Sequence, residues 1–595
     1  MNGTSLRDHP QDRLLPPTHR AAAALERAFG DPEDPASPVT FAMQLEADER
    51  EEAPLRCLEA MRAGGYTAHY VPPEHGGDFH DLPELYEMIR ALSRRDMAPA
   101  LSSGINLLAG LPVWACGTGK QRERLAELLL EGGLGSFGLS ESASGGDVLS
   151  ATLSAEATEA GGWRLNGTKW PIGNGNRGTF ATVFARTGRA GPRAFSTFFV
   201  DKSELDPRTW HPEPRVRTSG LRAIDLSGLT FEDCELPGDA LVGVRGRGLD
   251  IALRTLQASR IAVTAMAMGL ADTALRITVQ HTRSRQLYGA PVYDLPVIRE
   301  QVVSAFVDML VMECVGRAAV RGLAAAPNRS SLWSSITKYL LPAMGEEVLN
   351  SLSGVMAARN FLREGVYGGM FQKVVRDGRI ISVFEGTGHV QLHVVCSQLP
   401  QLFRGCGDRA SRDPDPALMH DLFGAFAEQP LWRMDLSRFR MSNGGTDEVF
   451  QGWPSALEEV ESAAGLGPAE RALAKVAREV DTERERLLAE VDELTADRRP
   501  LYSCARGFGV ARRYCLLFAA TACVRSWLVN REDGQGLLSR PEWAVLALRR
   551  VLSRMRPDQY LDEECVPAVE EEMLRCWSEE NSFALLPIPL GGSPA

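Results

Sequence analysis

Residues 150–170 read SATLSAEATEAGGWRLNGTKW, and this stretch decides the fold class that we expect for the chain. It contains short β-favouring runs, and the pairs Gly161-Gly162 and Asn166-Gly167 are typical of turns between strands. Comparable runs, GSFGLS, TFATVFART, FSTFFVD and LSGLTFEDCEL, occur between residues 135 and 236. The sequence therefore predicts an antiparallel β-domain of about a hundred residues.

Helical patterns flank this β-rich region on both sides. Leu85, Ile89 and Leu92 recur at spacings of four and three, as on one face of a helix. Residues 251–269 are rich in alanine and leucine without a charged stripe, which is typical of a helix buried in a bundle. A linker, RGCGDRASRDPDP, begins at Arg404 and precedes a second helical region, where Pro468–Thr495 is expected to form a long charged helix.

Composition argues against several classes of protein. The chain has 595 residues and a net charge of -12, which speaks against general nucleic-acid affinity. Its eleven cysteines form no CxxC pair and no zinc-ligand spacing, so buried thiols and no metal site are expected. We find no secretory signal and expect no apolar run of transmembrane length, so the predicted location is cytoplasmic.

One carboxylate stands in an unexpected setting. In Val383–Gln391, VFEGTGHVQ, Glu385 follows two large apolar residues and precedes a glycine and a hydroxyl. Desolvation raises the pKa of a carboxyl group, which would suit a catalytic base. The alternative is a structural glutamate in a salt bridge with Arg376 or Arg379.

The glycine-rich run at residues 243–248, GVRGRG, resembles a nucleotide loop. No preceding strand places it in a βαβ unit, so a dinucleotide-binding fold is not supported. We expect a flexible loop that leads into a helix.

Six motifs taken in order resemble the acyl-CoA dehydrogenase family over about residues 40 to 400. They are VPPEHGG, FGLSESASGGD, LNGTKWPIGNGN, SRIAVTAMAMGLADTAL, TRSRQLYGAPV and VVRDGRIISVFEGTGHVQ. The resemblance implies an α+β chain with an N-terminal helical domain, a middle antiparallel β-barrel and a C-terminal four-helix bundle. It also implies FAD bound between barrel and bundle without a Rossmann motif, and partly held by a second subunit.

The expected domains follow from this resemblance and from the patterns above. They are a flexible N-terminus at 1–18, the helical domain at 19–134, the β-barrel at 135–245, the bundle at 246–402 and an additional helical domain at 403–595. The additional domain is placed as in the very-long-chain type of the family. In that type the extra domain covers the surface between dimers, so a homodimer is expected.

The resemblance assigns roles to individual residues. Glu385 would remove the α-proton of an acyl thioester, and Ser259 stands at the alternative base position of the family, where serine cannot act as a base. Substrate contacts are assigned to Ser140, Gly146, Arg260 and Gly386. FAD contacts are assigned to Phe137, Leu139, Ser140, Gly145, Gly146, Pro171, Ile172, Gly173, Arg285, Tyr288, Thr387 and His389, with Arg285 and Tyr288 reaching across the dimer.

The chain departs from the family pattern near the expected flavin. Pro171-Ile172-Gly173 replaces the usual tryptophan and threonine, so the hydroxyl that would bond flavin N5 is missing. Gly146 stands where serine is usual, and Ser351 and Val355 interrupt a longer version of the adenine loop. These changes predict weaker FAD binding than is usual in the family.

The function expected from the resemblance is FAD-dependent α,β-dehydrogenation of an acyl-CoA or acyl-carrier-protein thioester. An electron acceptor such as electron-transfer flavoprotein is implied. The alternatives are a catalytically weakened or non-catalytic subunit and a flavin monooxygenase on the same fold; Glu385 argues against the latter. Peripheral membrane contact is left open, although no segment supports it.

Overall fold

The structure is a computed structural model that describes residues 10–404, 414–429, 431–432, 434–465, 467–496, 499–532, 534–557 and 560–592. Most of the predicted linker after Arg404 lies outside these ranges. Of the N-terminal residues 1–18, for which flexibility is a prediction, residues 10–18 are described and form short turns next to the first helix. The carboxylate of Asp12 is buried there and accepts a hydrogen bond of 2.7 Å from Arg27.

Six helices come first along the chain. They are α1 (Arg20–Phe29), α2 (Phe41–Arg50), α3 (Leu55–Ala63), α4 (Leu82–Arg95), α5 (Met97–Cys116) and α6 (Gly119–Leu130). Local sequence sets their starts: Asp81 accepts a hydrogen bond from the Glu84 N–H, and Thr118 and Gln121 form a reciprocal capping box. Helix α4 packs against α1, α5 and a later helix at Ala265–Ser284.

The middle of the chain forms a sheet, as the alternating runs predict. Its strands are β1 (Gly135–Gly138), β2 (Ser154–Ala157), β3 (Trp163–Gly173), β4 (Phe180–Arg186), β5 (Phe195–Asp201), β6 (Trp210–Pro212), β7 (Leu226–Leu236) and β8 (Leu241–Val242). The order is β6-β7-β3-β2-β4-β5-β8. Across the described residues this path stays open between β6 and β8, so a closed barrel is not shown.

The prediction of a purely antiparallel sheet is wrong in one respect. Strand β1 pairs parallel with β4, with Gly135 opposite Phe180, and β2 meets β4 in parallel at one residue pair. A side chain at Gly135 would lie 2.6 Å from the Phe180 ring, so glycine is needed for this close approach.

Helices resume after the sheet. They are α7 (Gly248–Ala262), α8 (Ala265–Ser284), α9 (Pro296–Ala325), α10 (Ser330–Met356), α11 (Met370–Gly378) and α12 (Gly388–Arg404), with a small hairpin of β9 (Gln286–Leu287) and β10 (Ala290–Pro291) after α8. Helix α10 is central and packs against α7, α8, α9 and α12. The predicted order of helices, strands and helices is confirmed.

Further helices cover one side of this bundle. They are α13 (Pro416–Phe423), α14 (Glu448–Gln451), α15 (Trp453–Ala463), α16 (Pro468–Thr495), α17 (Ala505–Asn530), α18 (Glu542–Ser553) and α19 (Val566–Ser578). We call residues 414–592 the extension. Its apolar helix α17 packs on α9 and α12. Arg550 of α18 and Arg554, which directly follows α18, both donate hydrogen bonds to the buried Asp308 of α9.

The segment after α19 also lies in the core. The Phe583 N–H donates to Asp272 of α8 at 2.9 Å, and the Leu585 N–H donates to Glu313 of α9 at 3.0 Å. Arg90 of α4 donates to the Phe583 carbonyl at 2.9 Å. Backbone groups of the extension therefore form hydrogen bonds with buried charged side chains of the N-terminal helices and of the bundle.

Among the residues that the structure describes, three helical segments are long and apolar enough, by length and composition, to cross a membrane, contrary to the expectation that none is. They lie in Met97–Cys116, Gly248–Ser284 and Ala505–Asn530. Between 67% and 94% of their most apolar windows is buried inside the protein. Packing against other helices therefore accounts for much of their apolar character.

Asp447 joins the extension to α10. Its buried carboxylate accepts hydrogen bonds from Trp333 Nε1 at 3.0 Å, from the Tyr514 hydroxyl and from the Val449 N–H at 3.2 Å. Burial raises the pKa of Asp447 to about 6, although the hydrogen bonds oppose the shift. One carboxylate thus satisfies donors from the bundle and from α17.

We expect Asp447→Ala to lower the free energy of unfolding by about 3 kcal/mol, because it leaves several buried donors without an acceptor. Chemical denaturation followed by circular dichroism measures this change. The control is Asp435→Ala, which removes an exposed carboxylate that bonds only the nearby Ser437 among the described residues. Equal stability of the two variants would contradict the anchoring role of Asp447.

Candidate active site

The turn between α11 and α12 carries Glu385 in an unusual backbone conformation. Glu385 has φ +55° and Gly386 has φ +98°. A left-handed conformation is rare for a residue with a side chain and costs on the order of 1–3 kcal/mol. Such residues cluster at functional sites, so the backbone conformation indicates that this turn is part of one.

Three side chains hold the turn through its carbonyl groups. Arg260 Nε of α7 donates to the Glu385 carbonyl at 3.0 Å, and Lys338 Nζ of α10 donates to the Ile381 carbonyl. Gln391 Nε2 of α12 lies 3.3 Å from the carbonyl oxygens of Glu385 and Gly386. The turn is thus held by three helices.

The carboxylate of Glu385 has one hydrogen-bond donor among the described residues. Ser259 Oγ donates to Glu385 Oε2 at 2.6 Å. The two alternative base positions named above are therefore neighbours in space, one occupied by serine and the other by glutamate. Burial raises the pKa of Glu385, while the Ser259 hydrogen bond and the charges of Lys338 and Arg260 act in the opposite direction.

The alternative of a structural salt bridge is wrong for Arg376. Its guanidinium donates to Asp48 at 2.8 Å and to Gln372 at 2.7 Å, away from Glu385. Within the described residues, Glu385 forms no ion pair at all, with Arg379 or with any other cation. The two nearby cations, Arg260 and Lys338, donate their hydrogen bonds to main-chain oxygen atoms instead.

Sequence reasoning missed Lys338. This residue is 1% exposed, and its ammonium lies 4.8 Å from the centre of the Phe384 ring. Burial lowers the pKa of Lys338 to about 8. The available signal was that Lys338 is the single charged residue in the segment SSLWSSITKYLLPAM, but the sequence does not say which turn that lysine faces.

The predicted residue Phe137 lies in β1, and Leu139 and Ser140 lie in the loop that follows it; all three are half-buried. Below them, the buried Lys169 donates to Glu141 at 2.7 Å and to the Leu139 carbonyl at 3.2 Å. Burial alone would raise the pKa of Glu141, but hydrogen bonds from Lys169, Thr152 and Leu153 lower it to about 2. A buried ion pair therefore fixes the shape of this loop.

The structure brings this loop next to the end of β3. The Trp170 N–H donates to the Ser140 carbonyl at 3.0 Å. Pro171 is exposed, whereas the Ile172 side chain is buried, so only its backbone remains for the predicted ligand contact. A side chain at Gly173 would lie 2.3 Å from Ile105 Cδ1, so Ile105 occupies the space that the family's threonine would need.

The other predicted ligand residues lie at the surface. Gly145 and Gly146 are exposed, and an added side chain at either would meet nothing within 4 Å. Thr387 and His389 are exposed beside Glu385. Tyr288, 94% exposed, forms the tip of the β9–β10 hairpin, and the half-buried Arg285 lies at its base; their contacts across a dimer stay a prediction.

A cavity of about 900 Å³ lies beside the N-terminal end of α7. The glycine-rich run lines it and leads into α7, as the simpler interpretation of that run predicted. Its arginines are Arg193, Arg245, Arg247 and Arg254, and its single carboxylate, Asp250, pairs with Arg247 at 2.7 Å and Arg254 at 2.8 Å. The cavity therefore carries a surplus of positive charge.

The extension supplies one wall of this cavity. Leu436 and Ser437 line it. Arg254 Nη1 donates to the carbonyl oxygens of Leu436 and Phe439, both at 2.8 Å, and Gln257 Nε2 donates to the Arg440 carbonyl at 2.9 Å. No sequence motif pointed to this wall, because its contacts are made by main-chain oxygen atoms.

Comparison with known proteins supports the resemblance. Models of the acyl-CoA dehydrogenase N-terminal, middle and C-terminal domains match residues 39–133, 136–234 and 246–399. The probable acyl-CoA dehydrogenase FadE25 of Mycobacterium tuberculosis is 28% identical over 360 residues, which cover 60% of this chain and 90% of that protein. The human mitochondrial short-chain specific acyl-CoA dehydrogenase is 28% identical over 404 residues, covering 66% and 92%.

Solved structures share the fold. Butyryl-CoA dehydrogenase from Megasphaera elsdenii has a TM-score of 0.59 at 23% identity, covering 63% of this chain and 96% of that one. An acyl-CoA dehydrogenase complexed with FAD, from Bacillus anthracis, has a TM-score of 0.67 at 18% identity and covers 97% of both chains. The extension is therefore part of a fold that occurs elsewhere.

The three matched domains follow one another in the order of the observed helices, strands and helices, and together they span more than half of the chain. The chain belongs to the acyl-CoA dehydrogenase family, a family of oxidoreductases.

Proposed function

We propose that this protein catalyses the FAD-dependent α,β-dehydrogenation of an acyl thioester and that Glu385 removes the α-proton. The observation that carries the proposal is the environment of Glu385. Its backbone has a left-handed conformation, and its carboxylate accepts a hydrogen bond only from the Ser259 hydroxyl among the described residues. The relatives, named as acyl-CoA dehydrogenases, support the reaction class.

The residues present fit FAD. Gly145 and Gly146 leave open space for a close approach to backbone, and Ser140 and Thr387 offer hydroxyl groups. Arg285 offers a guanidinium for a pyrophosphate. The buried Ser144 Oγ has no partner among the described residues, which leaves a hydrogen-bonding group for a ligand in the same loop.

Gly173 can contribute only its backbone N–H to such a ligand. Weaker flavin binding than is usual in the family stays our prediction. When bound, FAD supplies an acceptor for the hydride that leaves the β-carbon of the substrate.

The first task of the chain is proton removal. The α-proton of a thioester is weakly acidic, so an effective base needs a raised pKa and a position close to the carbon. Burial raises the pKa of Glu385. Ser259 donates to the carboxylate in its ionised form and so fixes its orientation before the proton arrives.

The second task is stabilisation of the charge that develops on the thioester oxygen. The Glu385 N–H meets no acceptor within the described part of the chain, so it is available to donate to that oxygen. Arg260 and Gln391 hold the carbonyl side of the same residue. The turn thus offers a base and a hydrogen-bond donor from one residue.

The arginine-lined cavity fits the phosphate-bearing part of the substrate. Helix α7 runs from this cavity, at Arg254, to Ser259 beside the base, a rise of about 7.5 Å. An acyl chain at Glu385 and a pantetheine arm along α7 would place phosphate near Arg245 and Arg247. Both acyl-CoA and an acyl-carrier-protein thioester carry such a phosphate; one solved structure of this fold is a prolyl acyl carrier protein oxidase.

The remaining assignments belong to the same proposal. Electron-transfer flavoprotein is the proposed acceptor, and the exposed hairpin around Tyr288 is the proposed contact with a second subunit of a homodimer. The extension is proposed to be of the very-long-chain type, and the location to be the cytoplasm.

We expect Glu385→Gln to lower the rate constant of flavin reduction by an acyl thioester by about 10²- to 10⁴-fold, because the amide cannot take the proton. Anaerobic stopped-flow absorbance measures the rate, and flavin content of the purified protein should be unchanged. The control is Glu346→Gln, which alters a carboxylate that bonds Ser382 of the same turn at 2.5 Å.

The control should stay within about threefold of wild type, because Glu346 is not the proposed base. A wild-type rate in Glu385→Gln would exclude this residue as the base. A protein that remains colourless after incubation with FAD would instead favour the non-catalytic alternative.

We expect Arg245→Ala combined with Arg247→Ala to raise KM for an acyl-CoA by about tenfold, with little change in kcat, because two charged contacts to phosphate are lost. The same acyl group on pantetheine, which has no phosphate, should show an unchanged KM. Arg208→Ala, an exposed arginine that pairs with Asp206 in the sheet domain, is the matched control. Equal losses with both substrates would contradict a phosphate site in this cavity.

A further inference from the structure

Lys338 is a buried charge that the reaction described above does not use. It lies on α10, and its ammonium donates to the carbonyl of Ile381, four residues before Glu385. The Phe384 ring packs against the same ammonium with 4.8 Å between nitrogen and ring centre. Lys338 therefore contacts the catalytic turn at two points on its interior side.

Arg260 contacts the same turn from the other side. Its Nε donates to the Glu385 carbonyl at 3.0 Å. The two cations thus donate hydrogen bonds to the carbonyl oxygen atoms of Ile381 and Glu385, at the two ends of this turn. Neither cation forms an ion pair with the Glu385 carboxylate. This arrangement holds a strained backbone in place and leaves the carboxylate able to accept a proton.

The charges around Glu385 come from two helices. Arg260 belongs to α7, and Lys338 belongs to α10. Glu346 is also on α10, and its carboxylate accepts a hydrogen bond from the Ser382 hydroxyl. His389 of α12 is exposed to solvent. Lys338 is the buried cation whose removal would leave the contacts of Arg260 and Ser259 intact.

We propose that Lys338 is a positioning residue for Glu385: it holds the 381–385 turn through the Ile381 carbonyl, and its charge stabilises the ionised carboxylate. The proposal rests on the proposed function of Glu385 only for its kinetic consequence. Two properties are involved, a hydrogen bond and a charge, and substitutions can separate them.

Lys338→Met removes both properties, Lys338→Gln keeps a donor for the Ile381 carbonyl without the charge, and Lys338→Arg keeps both.

We expect the midpoint of Glu385 protonation to rise by about one pH unit in the variants Lys338→Met and Lys338→Gln, because a nearby positive charge lowers the pKa of a carboxyl group. The midpoint in the variant Lys338→Arg should stay close to that of the wild type. Only the variant Lys338→Met should lose thermal stability, because it alone lacks a donor for the Ile381 carbonyl.

Infrared difference titration reads this midpoint directly on the protein as purified, with Glu385→Gln as the spectral reference for this one carboxyl group. The pH profile of flavin reduction should move upward by the same amount, because the base must be ionised to act, while KM stays within about threefold. A raised pKa of Glu385 shifts the rise of the rate to higher pH.

Lys202→Met is the matched control. Lys202 is also buried, donates to a carbonyl oxygen, that of Gly175, at 2.7 Å, and lies 5.5 Å from an aromatic ring, that of Trp210. Its substitution should lower stability without moving the protonation midpoint of Glu385.

The outcomes separate the two proposals. An unchanged infrared midpoint in Lys338→Met and Lys338→Gln would overturn the role of Lys338 and leave Glu385 as the base. A shifted midpoint with an unshifted pH profile of flavin reduction would support Lys338 and contradict Glu385 as the base.

Discussion

The contact between Ser259 Oγ and the Glu385 carboxylate is the interaction on which the active site depends. It exists only because α7, α10 and the turn before α12 meet at one point of the bundle. A carboxylate in that place is costly, since burial disfavours its ionised form. The chain offsets this cost with the Ser259 hydroxyl and the nearby charges of Arg260 and Lys338, and not with an ion pair. The result is a group that can accept a proton.

The extension contacts the helices that form the active site. It reaches α10 through Asp447, α9 through the arginines on Asp308, and α7 through carbonyl groups that Arg254 and Gln257 bind. All three helices carry residues of the site or pack against one that does. The extension therefore helps to position the site, although it contributes no residue to the turn around Glu385.

Much of the fold could be predicted from the sequence, because the period of apolar residues changes clearly near residues 135 and 248. Glu385 could be found because a motif and an unfavourable setting coincided there. Lys338 could not, because a lysine in an apolar helix does not reveal its partner. The parallel pairing of β1 with β4 and the cavity wall at Leu436 were hidden for a similar reason: backbone groups make those contacts, and backbone groups leave no residue-specific pattern.

The position of Phe583 has a consequence for biosynthesis. Arg90 donates a hydrogen bond to the Phe583 carbonyl, which lies 493 residues further along the chain and is therefore synthesised much later. At ribosomal speeds of about 5–20 residues per second, that interval lasts about 25 to 100 s. During it Arg90, and for a shorter time Asp272 and Glu313, lack the backbone groups that later satisfy them. This part of the interior can therefore be completed only after almost the whole chain has been synthesised.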